Sequence, residues 1–489
     1  MKFLRESTGL VKEFSAVDAF ALNFSFLGPA AGVSYPLFVS AFLPNSSWIL
    51  SVILGAVLMI PLVLNYYLLN ALIPRSAGDY IYVSRAFGPF AGSVLGMSLL
   101  MSFMMGFPVL AMLEVIMVIV PGLQAIGYSL GNKALIDFAN SILSSSLNLF
   151  VTTTLIVLIA FLLSSSERYY ARTFRYLTFL QIIGTVIMIY GLLTFHYAGI
   201  NNNLDPKLNT QTFALSSIFV LSLFAFANAP SFFAGEIKKS RKSFLAGYLL
   251  SYATATIFAL LLIISLEIGI GKENYVSAVI SGWNLPISTS SLLSFGALPF
   301  IHYPAIVMFI FVTALSWYLL YAMINVGASS RILFSLSFDR LLPAFLADVK
   351  RGIPFNALLF SFLVSMIFNY VEVYLGYSVS FAIDGLWFVI WNYMIVAIAS
   401  IKFYKLDKRI LYTSISSVIT LSTVVFITLY YGIVNPTFGG VIFEGNFAFD
   451  IVSIFIPPII GAVTYIISQK VRSKQGIKLS LIYKEIPPE

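Results

Sequence analysis

The chain has 489 residues, of which 59% are hydrophobic and only 10% are charged. A soluble domain usually carries about 25% charged residues, so this composition excludes a water-soluble globule and indicates a protein built for lipid contact. The chain has no cysteine and two histidines, which excludes disulfides, thiol catalysis and histidine-rich metal centres. The net charge of +8 does not indicate nucleic-acid binding, because the basic residues fall in short loops between apolar runs.

Twelve apolar runs are long enough to cross a bilayer, since a spanning helix needs about 20 residues. They lie at 17–43, 48–73, 90–120, 148–164, 176–198, 212–236, 244–268, 303–331, 355–376, 379–401, 410–433 and 450–469. The sequence therefore predicts an all-α integral membrane protein with about twelve transmembrane helices.

The distribution of Lys and Arg predicts the orientation. If the N-terminus lies inside, only Lys133, Lys207 and Lys272 of the 28 basic residues fall in loops on the outside. The positive-inside rule therefore predicts a multi-pass protein of the plasma membrane with both termini cytoplasmic. Residues 1–16 would form the cytoplasmic N-terminal segment and residues 470–489 the cytoplasmic tail.

Two of the predicted spans contain helix-breaking residues halfway along. The first span reads Gly-Pro-Ala-Ala-Gly at 28–32 and the sixth reads Ala-Asn-Ala-Pro at 227–230. Proline removes an amide donor and glycine lets the chain turn, and Asn228 could cap a helix that restarts at Pro230. Either break alone is equally well explained as a simple kink. As a pair five spans apart, they indicate a binding site at the membrane midplane between inverted repeats.

The chemistry of such a site suits a zwitterion. The free amides at the start of a half-helix attract a carboxylate, and the helix dipole adds to that attraction. The free carbonyls at the end of the other half-helix accept hydrogen bonds from an ammonium group. An amino acid carries both groups, and a neutral one is favoured because neither break contains an acidic residue.

Three sequence stretches, taken in order, resemble the amino acid–polyamine–organocation (APC) superfamily of permeases over about residues 5–402. The first is Pro-Arg-Ser-Ala-Gly-Asp-Tyr-Ile-Tyr-Val-Ser-Arg at 74–85. The second is Phe-Ala-Phe at 224–226 followed by Gly-Glu-Ile-Lys-Lys at 235–239. The third consists of Asn325, Ser330-Arg331, Asp339-Arg340, Leu342-Pro343 and Pro354.

This resemblance implies a five-plus-five inverted-repeat core of the leucine-transporter type, with discontinuous first and sixth helices, working by alternating access. The repeats would be 17–198 and 199–402, and 403–469 would form two peripheral helices. The chain departs from the family pattern at Pro29, which removes one possible amide donor, and at the second break, where Ala227 or Asn228 replaces the usual glycine.

The resemblance also implies which residues contact the substrate. By carry-over, the carboxylate would be received by Gly28, Ala30, Ala31 and Gly32, the amine would face the carbonyls of Phe224, Ala225 and Phe226, and Asn228 would stand at the second break. Phe226 could lie over the substrate as a gate, although in a chain with 45 Phe a single aromatic residue more often serves ordinary packing.

Several residues are candidates for coupling transport to an ion. Glu114 and Asp384 are carboxyl groups within predicted spans, where they either relay protons or cap and snorkel near an interface. Proton-linked members of the superfamily carry a lysine where this chain has Gln181, so that proton step is expected to be absent. Thr313 and Ser316 could supply oxygen ligands for sodium, and exchange or uniport without an ion also remains open.

Two other functions compete with transport as explanations of the sequence. A membrane-embedded transferase would need a cluster of His, Asp or Glu near one face, and a channel would favour a continuous polar stripe. The sequence favours the transporter, with a small-molecule substrate, the lipid bilayer and a proton or sodium ion as partners, and with no nucleic acid, cofactor, metal or catalytic residue. Glu236 and Arg331 are expected to belong to a polar network at the inner face.

Overall fold

The computed structural model describes residues 9–197, 207–238, 241–289, 291–443 and 447–486. Within these residues, twelve helices are long and apolar enough to cross a membrane, as the sequence predicts. They are Ala16–Ser40, Trp48–Leu72, Pro89–Ser129, Ser146–Ser164, Glu167–Thr194, Thr210–Phe232, Arg241–Gly269, Pro304–Phe338, Phe355–Leu375, Ser378–Phe403, Lys408–Val434 and Val452–Lys474. The described residues form no sheet, which confirms the all-α class, and the predicted repeat boundary at 198–199 lies outside them.

Some spans are longer than the apolar runs that predicted them. The third was expected at 90–120 and extends over Pro89–Ser129, with a π-helical turn at Val115–Ile119. The fifth was expected from 176 and begins at Glu167. Helical hydrogen bonding continues through polar residues at the interface, which a count of apolar residues does not detect.

The first span is broken at its predicted position. Helix Ala16–Leu27 ends at Gly28, and the chain restarts as Pro29–Gly32 and Ser34–Ser40. Gly28 has a φ of +50°, in the left-handed region that favours glycine. A Cβ atom there would also lie 2.3 Å from Cε2 of Tyr321, so the position requires glycine for both reasons.

The sixth span is broken as well. Helix Thr210–Ser222 gives way to a single 3-10 turn at Phe224–Phe226, and a short helix then runs over Ala229–Phe232. Pro230 lies in the first turn of that helix, where its missing amide costs no hydrogen bond. The prediction that the first and sixth helices are discontinuous is therefore confirmed.

The eighth span contains a break that the sequence did not predict. It consists of Pro304–Ala314 and Trp317–Phe338, with a turn between them. Oε2 of Glu114 accepts a hydrogen bond from the amide of Tyr318 at 3.1 Å, so a carboxylate from the third span caps the second segment. No proline or glycine stands at this break, and its cap comes from another helix.

Shorter helices connect the spans, and the last of them lies in the C-terminal tail. They are Gly78–Phe87, Lys133–Ser144, Lys272–Ser281, Leu292–Ala297, Pro436–Phe443 and Leu479–Ile482. The helix Gly78–Phe87 lies between the second and third spans and packs against the third and tenth. It therefore brings its own side chains beside the central helices.

The two broken spans at the centre are the most enclosed of the twelve. In their most apolar stretches, 83% of the residues of the first span and 89% of the sixth are buried, against 33% and 17% for the eleventh and twelfth. The breaks therefore lie at the centre of the molecule, and the last two spans lie at its surface.

The N-terminal segment and the C-terminal tail lie on the same side of the molecule. Phe14 donates its amide to the carbonyl of Glu236 at 3.1 Å and accepts from the amide of Lys238 at 2.9 Å. The hydroxyl of Tyr483 in the tail lies 2.9 Å from that of Tyr80. We call this face, which carries Phe14, Glu236, Lys238, Tyr80 and Tyr483, the basic side.

Candidate substrate and coupling site

The break in the first span leaves two backbone amides free. The amide of Gly32 donates to the carbonyl of Gly28 at 2.6 Å, and Pro29 has no amide to donate. Among the residues that the structure describes, the amides of Ala30 and Ala31 have no acceptor. An unsatisfied amide inside a membrane protein is costly, so these two donors are available to an anionic group.

The break in the sixth span leaves carbonyl groups free. The carbonyls of Ala225 and Phe226 accept no hydrogen bond within the described ranges, whereas that of Phe224 belongs to the 3-10 turn. Oγ of Ser222 donates to the carbonyl of Gly32 at 3.2 Å, which joins the two breaks directly. The free amides and free carbonyls therefore belong to neighbouring parts of one region.

Three aromatic rings pack together at the breaks. The ring centroid of Phe26 lies 5.1 Å from that of Phe226 and 5.7 Å from that of Tyr321. The hydroxyl of Tyr321 donates to the carbonyl of Leu27 at 2.8 Å, which satisfies a group that the first break would otherwise leave free. Phe26 and Tyr321 are buried, while Phe226 is partly exposed and is the ring of the three that another molecule can reach.

The side chain of Asn228 does not cap the restarted helix, which corrects the sequence prediction. It stands at the capping position but makes no capping bond. Oδ1 of Asn23, from the first span, accepts the amide of Ala229 at 3.2 Å and takes that role. The amide group of Asn228 donates instead to Oδ2 of Asp79 at 3.1 Å and accepts from the hydroxyl of Tyr393 at 2.6 Å.

Asp79 is a buried acid at the second break that the candidate residues had not included. Its carboxylate accepts hydrogen bonds from Tyr66 at 3.1 Å, from Asn228 at 3.1 Å and from Ser231 at 2.9 Å. Burial raises the pKa of Asp79 from 3.8 to about 7, although these hydrogen bonds favour the carboxylate and act against the rise. Asp79 is the one acidic residue in the motif at 74–85, and this was the available signal.

Gln181 links the fifth span to the first half of the first span. Its side-chain amide donates to Oγ of Ser25 at 2.9 Å, and Ser25 shares a 2.6 Å hydrogen bond with Thr178. Gln181 therefore contacts the first span at Ser25, three residues before Gly28 and beside the break.

Thr313 and Ser316 lie where the eighth span is interrupted. Their hydroxyls donate to carbonyls of their own turn, Thr313 to Ile310 at 2.7 Å and Ser316 to Thr313 at 2.6 Å. A Cβ atom on Gly184 would meet Oγ1 of Thr313 at 1.9 Å, so the fifth and eighth spans are in close contact there. Both hydroxyl oxygens keep lone pairs that could bind a cation.

The two remaining coupling candidates lie apart from each other. Glu114 is buried and caps the second segment of the eighth span. Asp384 accepts a hydrogen bond from Ser453 of the twelfth span, so it faces the peripheral helices. The structure therefore brings Glu114, but not Asp384, to a broken helix.

Ion pairs tie the helices together on the basic side. The carboxylate of Glu236 accepts from Nε of Arg331 at 2.9 Å and from its Nη2 at 2.6 Å, with both side chains fully buried. The guanidinium of Arg331 also lies over the ring of Phe233, 4.8 Å from its centroid. Two further pairs are Asp18 with Arg175 and Arg85 with Asp339. Together they join the first span to the fifth, the chain after the sixth span to the eighth, and the helix Gly78–Phe87 to the end of the eighth.

Comparison with known proteins agrees with this architecture. The family model described as amino acid permease matches residues 14–460. The chain is also 29% identical over 473 residues to a protein of Sulfolobus islandicus rod-shaped virus 1, named Uncharacterized protein 399, and the match covers 96% of this chain and 98% of that relative. The family implies a membrane transporter rather than an enzyme. This multi-pass membrane protein therefore belongs to the amino acid permease family of the APC superfamily.

Proposed function

We propose that the protein is a secondary transporter that carries a neutral amino acid or a related amine across the membrane by alternating access. The observation that carries this proposal is that the free amides of Ala30 and Ala31 and the free carbonyls of Ala225 and Phe226 lie in one region. An amino acid presents a carboxylate to the first group and an ammonium to the second. The hydrogen bond between Ser222 and Gly32 supports placing both ends of one small molecule here.

The proposed mechanism uses two inverted repeats, residues 17–198 and 199–402, that move against each other around the breaks. It is supported by the interruption and deep burial of the first helix of each repeat. In this proposal the basic side faces the cytoplasm of the cell, because that side carries the Lys- and Arg-rich loops. The ion pairs on the basic side would separate when the site opens to the cytoplasm.

The hydrogen bonding of Asp79, the acid beside the second break, favours a neutral substrate. The carboxylate of Asp79 already accepts hydrogen bonds from Tyr66, Asn228 and Ser231. A cationic substrate side chain would have to share the carboxylate with these three donors. The coupling ion in this proposal is a proton or sodium, with exchange as the alternative mode.

The test has two stages. A thermal-shift screen of the purified protein against the twenty amino acids and common polyamines identifies ligands, because binding to the folded state raises the unfolding temperature. Counterflow of the labelled ligand in reconstituted vesicles then measures transport. For each stabilising amino acid, its amide and its deaminated acid serve as matched controls.

The proposal predicts that the parent amino acid stabilises the protein and exchanges, while both analogues fail, because each lacks one of the two charged ends. If folded protein neither binds nor exchanges any amino acid or amine, the proposal is wrong. Flux that does not saturate would favour a channel, and chemical conversion of the ligand would favour a membrane-embedded transferase.

A further inference from the structure

A buried cluster around Asp79 joins four parts of the molecule beside the second break. Asp79 lies at the start of the helix Gly78–Phe87 and is fully buried. Tyr66 comes from the second span, and Asn228 and Ser231 come from the sixth. Tyr393, from the tenth span, donates to the same Asn228. A change in the charge of this carboxyl group therefore alters the hydrogen bonds of several helices at once.

Asp79 has no basic partner in the described part of the chain, unlike three other buried acids on this side. Asp18 pairs with Arg175, Glu236 with Arg331, and Asp339 with Arg85. Asp79 receives only neutral donors. It can therefore gain or lose a proton without leaving a buried arginine unpaired.

The titratable groups that face Asp79 are tyrosines. They are Tyr66 on the second span, Tyr82 on its own helix, Tyr248 on the seventh span and Tyr393 on the tenth. Two charged groups contact the neighbourhood of this helix: Arg75 acts on Tyr82, and Glu236 of the Glu236–Arg331 pair accepts from Ser76 at 3.4 Å. The third span packs glycines against this helix, Gly92 against Ser84 and Gly96 against Tyr80.

Protonation changes what the carboxyl group can hold. Ser231 donates to Oδ1, while Tyr66 and Asn228 both donate to Oδ2. A proton taken from water onto Oδ2 needs an acceptor, and the hydroxyl of Tyr66 can turn to become one. The amide nitrogen of Asn228 cannot accept, and a proton on either oxygen removes the charge of the carboxylate, so the bond that Asn228 donates to Oδ2 weakens when the proton binds.

The weakened bond lies next to the proposed substrate site. Asn228 stands two residues after Phe226, where the free carbonyls end, and before the helix Ala229–Phe232. Its carbonyl accepts the amide of Ser231 at 2.8 Å, so the turn moves with it. A proton on Asp79 therefore alters the position of the carbonyls that would receive the substrate amine.

We propose that Asp79 is the proton-binding residue of this transporter, and that it acts as a positioning residue by holding Asn228 and the second break when ionised and releasing them when protonated. This inference rests on the transport function proposed above. Because burial raises the pKa of Asp79 to about 7, the group changes its charge near neutral pH. The other candidates are less well placed, since Gln181 cannot titrate, Asp384 faces the twelfth span, and Glu114 holds an amide of the eighth span rather than either of the two central breaks.

The experiment measures the initial rate of counterflow and the accumulation driven by an inward proton gradient between about pH 5 and pH 9. Asp79→Asn keeps the shape of the side chain and removes its titration. Ser231→Ala removes a donor that favours the carboxylate, and so raises the pKa of Asp79. Asp137→Asn, at an exposed acid of the helix Lys133–Ser144, is the matched control.

The expected results differ for each protein. The wild type shows a pH-dependent rate with a midpoint near neutrality, and Asp79→Asn loses both that dependence and the proton-driven accumulation. Ser231→Ala moves the midpoint upward by roughly one pH unit. Asp137→Asn behaves as the wild type.

Each contrary result has a distinct meaning. If the wild type exchanges no amino acid or amine, the proposed function is wrong. If the wild type exchanges but its rate is indifferent to pH, or if Asp79→Asn keeps the wild-type profile, this inference alone is overturned. Should Asp79→Asn fail to fold, Ser231→Ala decides the question, and an unmoved midpoint in that variant overturns the inference.

Discussion

The buried ion pair between Glu236 and Arg331 offers a quantitative test of how the basic side closes. Both side chains are fully buried, and two hydrogen bonds of 2.9 and 2.6 Å connect them. The change Glu236→Ala removes the carboxylate and leaves the guanidinium of Arg331 buried, where Ser330 at 3.1 Å remains as a hydrogen-bond partner. In the alternating-access mechanism proposed above, the state that is closed on the basic side is therefore destabilised, while in the open state water would solvate the arginine.

The size of the effect follows from the burial of the pair. Removing one partner of a buried ion pair costs about 3–5 kcal/mol, because the other charge is left uncompensated. Since about 1.4 kcal/mol corresponds to a tenfold change in an equilibrium constant, even the lower figure shifts the balance toward the open state about a hundredfold. A pair of this kind near the membrane surface, exposed to water, would contribute only about 0–1 kcal/mol.

Cysteine labelling measures this shift directly, because the chain contains no cysteine. A single cysteine at Ala234, which is buried two residues before Glu236, reacts with a membrane-impermeant maleimide only when the basic side opens. We expect the labelling rate to rise at least about tenfold in Glu236→Ala. Asp407→Asn, which breaks the exposed pair between Asp407 and Arg409, should leave the rate unchanged.

A double substitution separates the charge effect from a packing defect. Replacing a buried pair by apolar residues of similar volume is often neutral or stabilising, so Glu236→Leu with Arg331→Met should return the labelling rate toward that of the wild type. If the single and double variants label equally fast, or if Glu236→Ala labels as slowly as the wild type, the reasoning is refuted.

Three further changes test the breaks and their neighbours. Gly28→Ala should lower the free energy of unfolding by about 2–4 kcal/mol, because it forces a left-handed alanine and pushes Tyr321 off the carbonyl of Leu27; thermal unfolding measures it. Gln181→Lys should change the pH dependence of exchange in vesicles, because it adds a titratable amine beside Ser25. Folding raises the pKa of Asp79 from 3.8 to about 7, so the contribution of this group to the free energy of unfolding should be fully present below about pH 4 and lost progressively up to about pH 7. Unfolding at a series of pH values measures this contribution.

Each of these changes has its own control. Substituting alanine for Gly376, a left-handed glycine with open space where its Cβ would lie, isolates the backbone cost from the clash at Gly28. An unchanged pH profile in Gln181→Lys would contradict the second expectation. The third would be contradicted if Asp79→Asn showed the same loss of stability with rising pH as the wild type.

The amino-acid sequence predicted the number of spans and the two central breaks because these are local properties. Twenty apolar residues in a row form a spanning helix wherever they stand in the chain. A glycine such as Gly28, followed by proline, interrupts a helix through its own backbone. The ends of the third and fifth spans were less predictable, since helices continue through polar residues whose hydropathy resembles that of loops.

The partners at the breaks could not be predicted in this way. Asn228 was expected to cap its own helix by its position, yet Asn23 provides the cap from 206 residues away. The capping of the eighth span by Glu114 joins residues 204 apart. Patterns of neighbouring residues contain no information on such distant pairs.

What the sequence by itself determined is therefore the class of protein, the positions of most helices and the places where two of them open. What only the tertiary structure decided is which polar groups satisfy the opened backbone. Asp79 shows the reason, because its hydrogen bonds come from residues 13, 149 and 152 positions away, brought together by the packing of helices. In a membrane interior each exposed polar group must find a partner, and packing alone decides which one it finds.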